Sequence, residues 1–178
     1  NFMKKLTIII PCYNEKNTIA EIIDQILQLN NIKKQIIVVD DKSNDGSEQI
    51  IKKYESKKKI EAIYHDFNQG KGASIISAKR LINGDIVLIQ DADLEYDPED
   101  IPKLIEPILN NEYSVVYGSR VLEKKYFENL QNFSHWIRIL GNILLTKLSN
   151  LINNQKLTDA HTCYKVFEAN VFKNIEIN

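Results

Sequence analysis

The chain has 178 residues, 43% hydrophobic and 26% charged, with 23 basic against 24 acidic side chains and a formal net charge of −1. That length suits one domain with a substantial core, and the charge balance argues against a general nucleic-acid binder. Two cysteines, Cys12 and Cys163, make no disulfide framework and point to a reduced, cytosolic setting. The start lacks the apolar core of a signal peptide, and no stretch of about 20 apolar residues free of charge is present to span a membrane.

In chain order, the first predicted element is a strand over residues 6–10, followed by the polar cluster Pro11-Cys12-Tyr13-Asn14-Glu15 and a helix over 15–29. Cys12 reads as a buried thiol, since no histidine is placed to activate it. A second apolar run, 35–40, ends in Asp40-Asp41. The stretch Lys42-Ser43-Asn44-Asp45-Gly46-Ser47 then turns into a helix over 46–58. Either aspartate would suit the N–H of a nucleobase or a ribose hydroxyl, while Asp45 or Ser47 reads as a helix cap.

A strand over 60–65 and the turn Gly70-Lys71-Gly72 lead into a helix over 71–82. That turn is too short for a Walker A loop or a dinucleotide fingerprint. Lys71 is a candidate for a diphosphate and equally for a solvated helix start. The strand over 86–90 ends in Asp91-Ala92-Asp93-Leu94-Glu95. In an extended chain, residues two apart share a face, so Asp91 and Asp93 project together from the strand's C-terminal end, where open α/β sheets place ligands. Paired hard oxygens suit Mg²⁺ or Mn²⁺ bridging to a diphosphate; the plainer alternative is a solvated acidic turn ahead of the helix predicted over 98–110. A strand over 113–118 and a helix over 133–153 complete the series. Alternation of this kind predicts an α/β fold, a mainly parallel Rossmann-like sheet flanked by helices.

Beyond residue 120 the character changes: Arg120, Lys124, Lys125, Arg138 and Lys147 stand against Glu123 and Glu128, and His135 is a further potential cation. On the helix over 133–153, Trp136, Ile137, Leu140, Leu144, Leu148 and Leu151 form an apolar face. His135, Arg138, Asn142, Thr146 and Ser149 form a polar stripe. A basic amphipathic helix of this kind suits a membrane surface, a core position or a contact between copies in a homo-oligomer.

Taken together, Ile10-Pro11-Cys12-Tyr13-Asn14-Glu15, Val38–Ser47, Asn68-Gln69-Gly70-Lys71-Gly72 and Asp91–Pro98 resemble the family 2 glycosyltransferases of the GT-A fold. Tyr117-Gly118-Ser119-Arg120 and Leu157–Phe167 resemble the polyprenyl-phosphate subgroup, which includes dolichyl-phosphate mannose synthase. The resemblance covers nearly the whole chain, in order.

It implies a metal-dependent transferase that moves a sugar from a UDP- or GDP-sugar to a polyprenyl phosphate, in a single inverting displacement on the cytoplasmic face of the membrane. Pro11, Tyr13, Glu15, Asp40, Asp41, Lys71, Asp91 and Ala92 would hold the nucleotide sugar. Asp91, Asp93 and Glu95 would hold Mg²⁺ or Mn²⁺. Arg120 and Arg138 would grip the anionic acceptor, which needs no strong base. Asp159 is the base candidate for a hydroxyl acceptor instead. Where His161 stands, the family often has an acidic residue.

One domain is expected over 1–178, with a nucleotide-sugar half over 1–120 and an acceptor half over 121–178. Family members continue past the Cys163–Phe167 segment, so a shortened chain, or a non-catalytic nucleotide-sugar binding fragment, is a further expectation. A phosphoacceptor domain would carry its acids after the first strand, where Pro11-Cys12 stands, and a nucleotidyltransferase would carry a glycine-rich N-terminal loop that the chain lacks.

Overall fold

A computed structural model of the chain describes residues 4–119, 133–154, 156–160 and 162–175, and of 133–138 the backbone alone. The described residues include six strands: β1 Leu6–Cys12, β2 Lys34–Asp40, β3 Glu61–Tyr64, β4 Ile86–Ile89, β5 Val115–Tyr117 and β6 Lys165–Glu168. They make one sheet in the order β3-β2-β1-β4-β6-β5. Strand β1 is parallel to both β2 and β4, and β2 is parallel to β3, with Ile8 opposite Ile36 and Leu88, and Cys12 opposite Asp40. The α/β fold predicted from the alternating pattern is the one observed.

The helices are α1 Ile19–Gln28, α2 Ser47–Ser56, α3 Lys71–Ala78, α4 Ile101–Leu109, α5 Phe133–Asn153 and α6 Ala169–Asn174. Single 3-10 turns cover Lys79–Leu81 and Pro98–Asp100, so the helix predicted over 98–110 divides into a turn and a helix. Asp97 initiates that turn: its carboxylate accepts from the Glu99 N–H at 2.9 Å. The apolar runs became strands because a parallel sheet covered on both faces buries both sides of each strand. Ile8, Ile9, Ile10, Ile37, Val38, Val39, Val87 and Leu88 are all fully buried.

Strand β6 and helix α6 were not predicted. Val166 and Phe167 are buried, and Phe167 packs on Phe172 with ring centroids 5.3 Å apart. The core around Ile9, Ile37 and Val87 includes both phenylalanines.

The chain divides into two compact units, Asn1–Val116 with Val166–Asn178, and Tyr117–Lys165. Residues 166–175, within the stretch expected to form the acceptor half, group with the first of these units.

The edge of the sheet at the N-terminal ends of β1 and β2 is tied by a buried polar network. Thr7 Oγ1 donates to Gln35 Oε1 at 2.7 Å, Gln35 Nε2 donates to Glu61 at 2.7 Å and to Leu81 O at 2.8 Å, and the Gly84 N–H donates to Thr7 Oγ1 at 3.0 Å. Gly84 fits only as glycine, since a Cβ there would lie 2.6 Å from Thr7 Oγ1 and 2.7 Å from Lys5 O.

Candidate active site

The opposite, C-terminal ends of β1, β2 and β4 carry the chemistry. The strand order reverses at β1, with β2 on one side and β4 on the other, which opens a crevice between the loops that follow. A cavity of about 240 Å³ lies there, lined by Pro11, Cys12, Tyr13, Glu15, Asp41, Lys71, Ser74, Asp91, Ala92 and Asp93. Seven of the expected donor residues thus stand on one wall system together with Asp93: Pro11, Tyr13, Glu15, Asp41, Lys71, Asp91 and Ala92. Of the remaining expected residues in this unit, Asp40 and Glu95 are not on the wall. Cys12 and Ser74 line it without having been assigned a part; Ser74 lies three residues past Lys71, one helical turn along α3.

The first two loops are laced to each other. The Asn14 N–H donates to Ser43 Oγ at 2.9 Å, Glu15 N–H to Ser47 Oγ at 2.9 Å, and Lys16 N–H to Asp45 Oδ2 at 2.9 Å. Asn44 N–H donates to Asn14 Oδ1 at 2.9 Å, with Asn14 itself in the left-handed region at φ 58°. Asp45 also accepts from the Ser47 N–H at 2.9 Å and hydroxyl at 2.6 Å. The Ser-Asn-Asp-Gly-Ser stretch therefore holds the Asn14–Lys16 segment, which contributes Glu15 to the cavity wall, besides starting α2.

Asp40 and Asp41 have separate fates. Asp40 is 1% exposed; its Oδ2 accepts from the Ser43 N–H at 3.2 Å and its Oδ1 has no partner among the described residues. Burial pushes its pKa up. Asp41, also buried, is opposed by burial too, but the backbone N–H of Gln69, the His65 ring and the Gly70 N–H outweigh it and hold the pKa below the ordinary carboxylate range. Those contacts are 2.9, 2.6 and 2.7 Å. Cys12 is buried, and its thiol is pushed up to about 12, chiefly by burial and then by the Asp40 charge. It is a packing residue, not a thiolate nucleophile.

The third loop is positioned by Gln90, which is fully buried and donates through Nε2 to Asp91 O at 3.2 Å and Tyr96 O at 3.5 Å. Asp91 forms an ion pair with Lys71, the first residue of α3. Asp93 Oδ1 accepts from the Glu95 N–H at 3.0 Å, which turns the chain there. Strand β4 ends at Ile89, so Asp91 and Asp93 meet on the cavity wall through the bend that follows it rather than by strand alternation, and the Glu95 side chain is exposed.

Among the described residues, no group of three or more His, Cys, Asp or Glu side chains is placed to hold a metal ion alone. Two carboxylates on one cavity wall do fit a hard divalent cation whose remaining ligands are diphosphate oxygens and water. The N-terminus of α3, at Lys71, opens on the same cavity, and the partial positive charge of a helix start suits an anion.

The second unit is organised by the polar stripe of α5. Asn150 donates through Nδ2 to Leu157 O at 2.8 Å and accepts from the Leu157 N–H at 2.9 Å. Thr146 Oγ1 accepts from the Ala160 N–H at 3.1 Å, and Asn142 Nδ2 donates to Asp159 Oδ1 at 3.1 Å. Asp159 is 1% exposed. Leu140, Leu144, Leu145, Leu148, Leu151 and Ile152, by contrast, are exposed. No described helix is long and apolar enough to cross a membrane. Arg120, His161 and the side chain of Arg138 lie outside the described residues.

Known proteins resemble the chain over nearly its whole length. The family described as Glycosyl transferase family 2 matches residues 7–176. A UDP-N-acetylglucosamine–dolichyl-phosphate N-acetylglucosaminyltransferase of Methanococcus voltae is 31% identical over 96% of this chain and 72% of its own length. A dolichol-phosphate mannosyltransferase of Pyrococcus furiosus is 32% identical over 83% of this chain and 43% of its own. Among solved structures, glucosyl-3-phosphoglycerate synthase of Mycobacterium tuberculosis, in complex with Mg²⁺ and uridine diphosphate, superposes with a TM-score of 0.69. It shares 20% identity over 94% of this chain and 57% of its own, a likeness of fold.

Proposed function

The chain belongs to glycosyl transferase family 2, and from that premise we propose that it transfers a sugar from a nucleotide-diphosphate sugar to a polyprenyl phosphate of the dolichyl or undecaprenyl type. The observation that carries the donor half is the cavity at the ends of β1, β2 and β4. It joins Asp41, Lys71, Asp91 and Asp93 beside a helix N-terminus. Carboxylates and a cation in one crevice suit a ligand with both a polar base and a diphosphate. The acceptor half is supported by the relatives, two of which are named for transfer involving dolichyl or dolichol phosphate.

In this reading the first unit takes the donor. Asp41, with the backbone after Pro11, meets the nucleoside, Tyr13 and Glu15 flank it, and Lys71 with the α3 N-terminus holds the diphosphate. Asp91 and Asp93 would hold Mg²⁺ or Mn²⁺, which offsets the charge growing on the leaving diphosphate; the solved neighbour with Mg²⁺ and uridine diphosphate supports a divalent ion.

The second unit takes the acceptor. Arg120 and Arg138 align a lipid-phosphate oxygen with the anomeric carbon. The new bond forms between that oxygen and the anomeric carbon as the bond to the diphosphate breaks, with inversion. The nucleoside diphosphate departs with the electron pair. Because the attacking oxygen is already anionic, no base is required, in keeping with the burial of Asp159 against Asn142.

Helix α5 contains Arg138 and Lys147 and no Asp or Glu, and it exposes a leucine face. That combination suits the anionic inner surface of a membrane, to which the protein would bind peripherally.

A thermal-shift panel of UDP- and GDP-sugars with and without Mn²⁺ tests the donor reading: ligand binding to the folded state raises the melting temperature, and the cognate donor shows the largest rise, reduced by EDTA. Radiolabelled sugar transfer into polyprenyl phosphate tests the acceptor. Arg120→Ala and Arg138→Ala lose transfer while keeping donor binding, and Arg138→Lys recovers part of it, because an ammonium lacks the bidentate fork. Wild-type transfer by both alanine variants would assign the acceptor to a hydroxyl instead.

A further inference from the structure

A buried histidine beside Asp41 stands behind the donor cavity without lining it. His65 directly follows β3, and its backbone N–H donates to Asp40 O at 2.9 Å. The side chain is 6% exposed. Its Nδ1 lies 2.6 Å from Asp41 Oδ1 and its Nε2 lies 2.9 Å from Ser77 Oγ on α3. These partners assign the tautomer: a carboxylate only accepts, so Nδ1 carries the hydrogen, and in the neutral ring Nε2 accepts from the Ser77 hydroxyl.

The carboxylate that His65 holds is itself a clamp. Asp41 accepts the N–H of Gln69 on Oδ1 at 2.9 Å and the N–H of Gly70 on Oδ2 at 2.7 Å. Gly70 sits at φ +87°, a backbone conformation that L side chains rarely adopt, and it precedes α3 directly. The next residue is Lys71, paired with Asp91 across the cavity. His65 adds a third donor, held between β3 and α3, to the two backbone N–H groups on this carboxylate, and a fully satisfied buried polar network is the more rigid for it.

We propose that His65 is a positioning residue for the donor diphosphate: it orients Asp41, Asp41 holds the Gln69–Gly70 turn, and the turn delivers Lys71 and the N-terminus of α3 to the phosphates. This inference rests on the nucleotide-sugar reading above. It assigns the effect to the diphosphate end of the donor through Lys71.

The test is a double-mutant cycle read by calorimetry on the full chain, with UDP and GDP as probes in the presence of Mg²⁺. His65→Ala weakens binding of the preferred nucleotide about tenfold, as does Lys71→Ala, and the double variant is no weaker than Lys71→Ala alone. His65→Asn, whose amide nitrogen reaches the place of Nδ1, recovers most of the affinity; His65→Gln, whose amide tracks Nε2, does not. Should His65→Ala fail to fold, the contrast between the Asn and Gln variants carries the test. Unchanged affinity in His65→Ala overturns the proposal. So does a full tenfold loss on the Lys71→Ala background, which marks a general structural effect, and so does equal behaviour of Asn and Gln. If the wild-type chain binds neither nucleotide, the donor reading fails and this inference falls with it; if wild type binds and the His65 variants match it, this inference alone is wrong.

Discussion

Helices α1 and α5 both place apolar residues at helical spacing, and the fold treats those faces in contrary ways. In α1, Ile19, Ile22, Ile23 and Ile26 are fully buried. In α5, Leu144 and Leu151 are 67% and 81% exposed, and Asn142, Thr146 and Asn150 hold the segment from Leu157 to Ala160. The reason lies in what each helix must satisfy. Helix α1 follows a strand loop whose own polar groups are already paired with the 43–47 loop, so nothing competes for its apolar side. Helix α5 is followed by a segment with no regular hydrogen-bonding partner of its own over 156–160. Backbone groups without water must find partners, and the amide and hydroxyl side chains of α5 supply them. Amphipathic spacing therefore identifies two faces without saying which is turned inward.

The largest effect that would sharpen this contrast is in α1. Ile23→Ala removes a fully buried side chain and should destabilise the fold by about 2–5 kcal/mol, the range for large-to-small core substitutions. Urea unfolding measures it; a loss below about 1 kcal/mol would mean that the α1 face is as dispensable as a surface.

Next in size is the polar side of α5. Asn150→Ala leaves both the N–H and the C=O of Leu157 without their side-chain partner, at a cost of about 1–3 kcal/mol where such groups stay shielded from water. The readout is local: faster amide exchange over 156–160, with β1 and β2 unchanged. Protection that stays at wild-type levels would show that the segment is held by something other than α5.

A third effect concerns the sheet edge away from the cavity. Gly84→Ala pushes a methyl group against Thr7 Oγ1 and Lys5 O and should cost about 1–3 kcal/mol, as overpacking does. Thermal unfolding reads that cost, and nucleotide affinity measured below the transition should match wild type. A drop in affinity would mean that the two ends of β1 are coupled.

Much of this was legible in the sequence because parallel strands are buried on both sides and read as continuous apolar runs. Leu6–Ile10, Ile36–Val39 and Ile86–Ile89 announce themselves, and the polar residues that follow them line the cavity. Strand β6 did not: Lys165–Glu168 has only four residues, and its place between β4 and β5 is decided by pairing with strands far away in the chain. The clamp of His65, Asp41 and Ser77 was equally hidden, because His65 and Ser77 are twelve positions apart and meet Asp41 only once β3 and α3 pack together.

The smallest effect on folding is also the one that bears most on function. Leu144→Ala and Leu148→Ala alter exposed positions, where substitutions change stability by about 0.5 kcal/mol or less. Alanine is also the better helix former. If the leucine face enters a bilayer, the same changes remove apolar surface that would leave water on binding. A leucine fully transferred is worth about 1.5–3 kcal/mol, and partial insertion of two of them gives on the order of 2 kcal/mol, or more than tenfold in affinity. The double variant should therefore unfold like wild type in urea yet lose at least tenfold in binding to anionic phospholipid vesicles in a sedimentation assay. High salt should weaken wild-type binding only in part, because screening acts on Arg138 and Lys147 and leaves apolar contact intact. A double variant that is markedly less stable than wild type would show that these leucines face a protein surface. One that keeps both its stability and its vesicle binding would move the membrane contact away from α5.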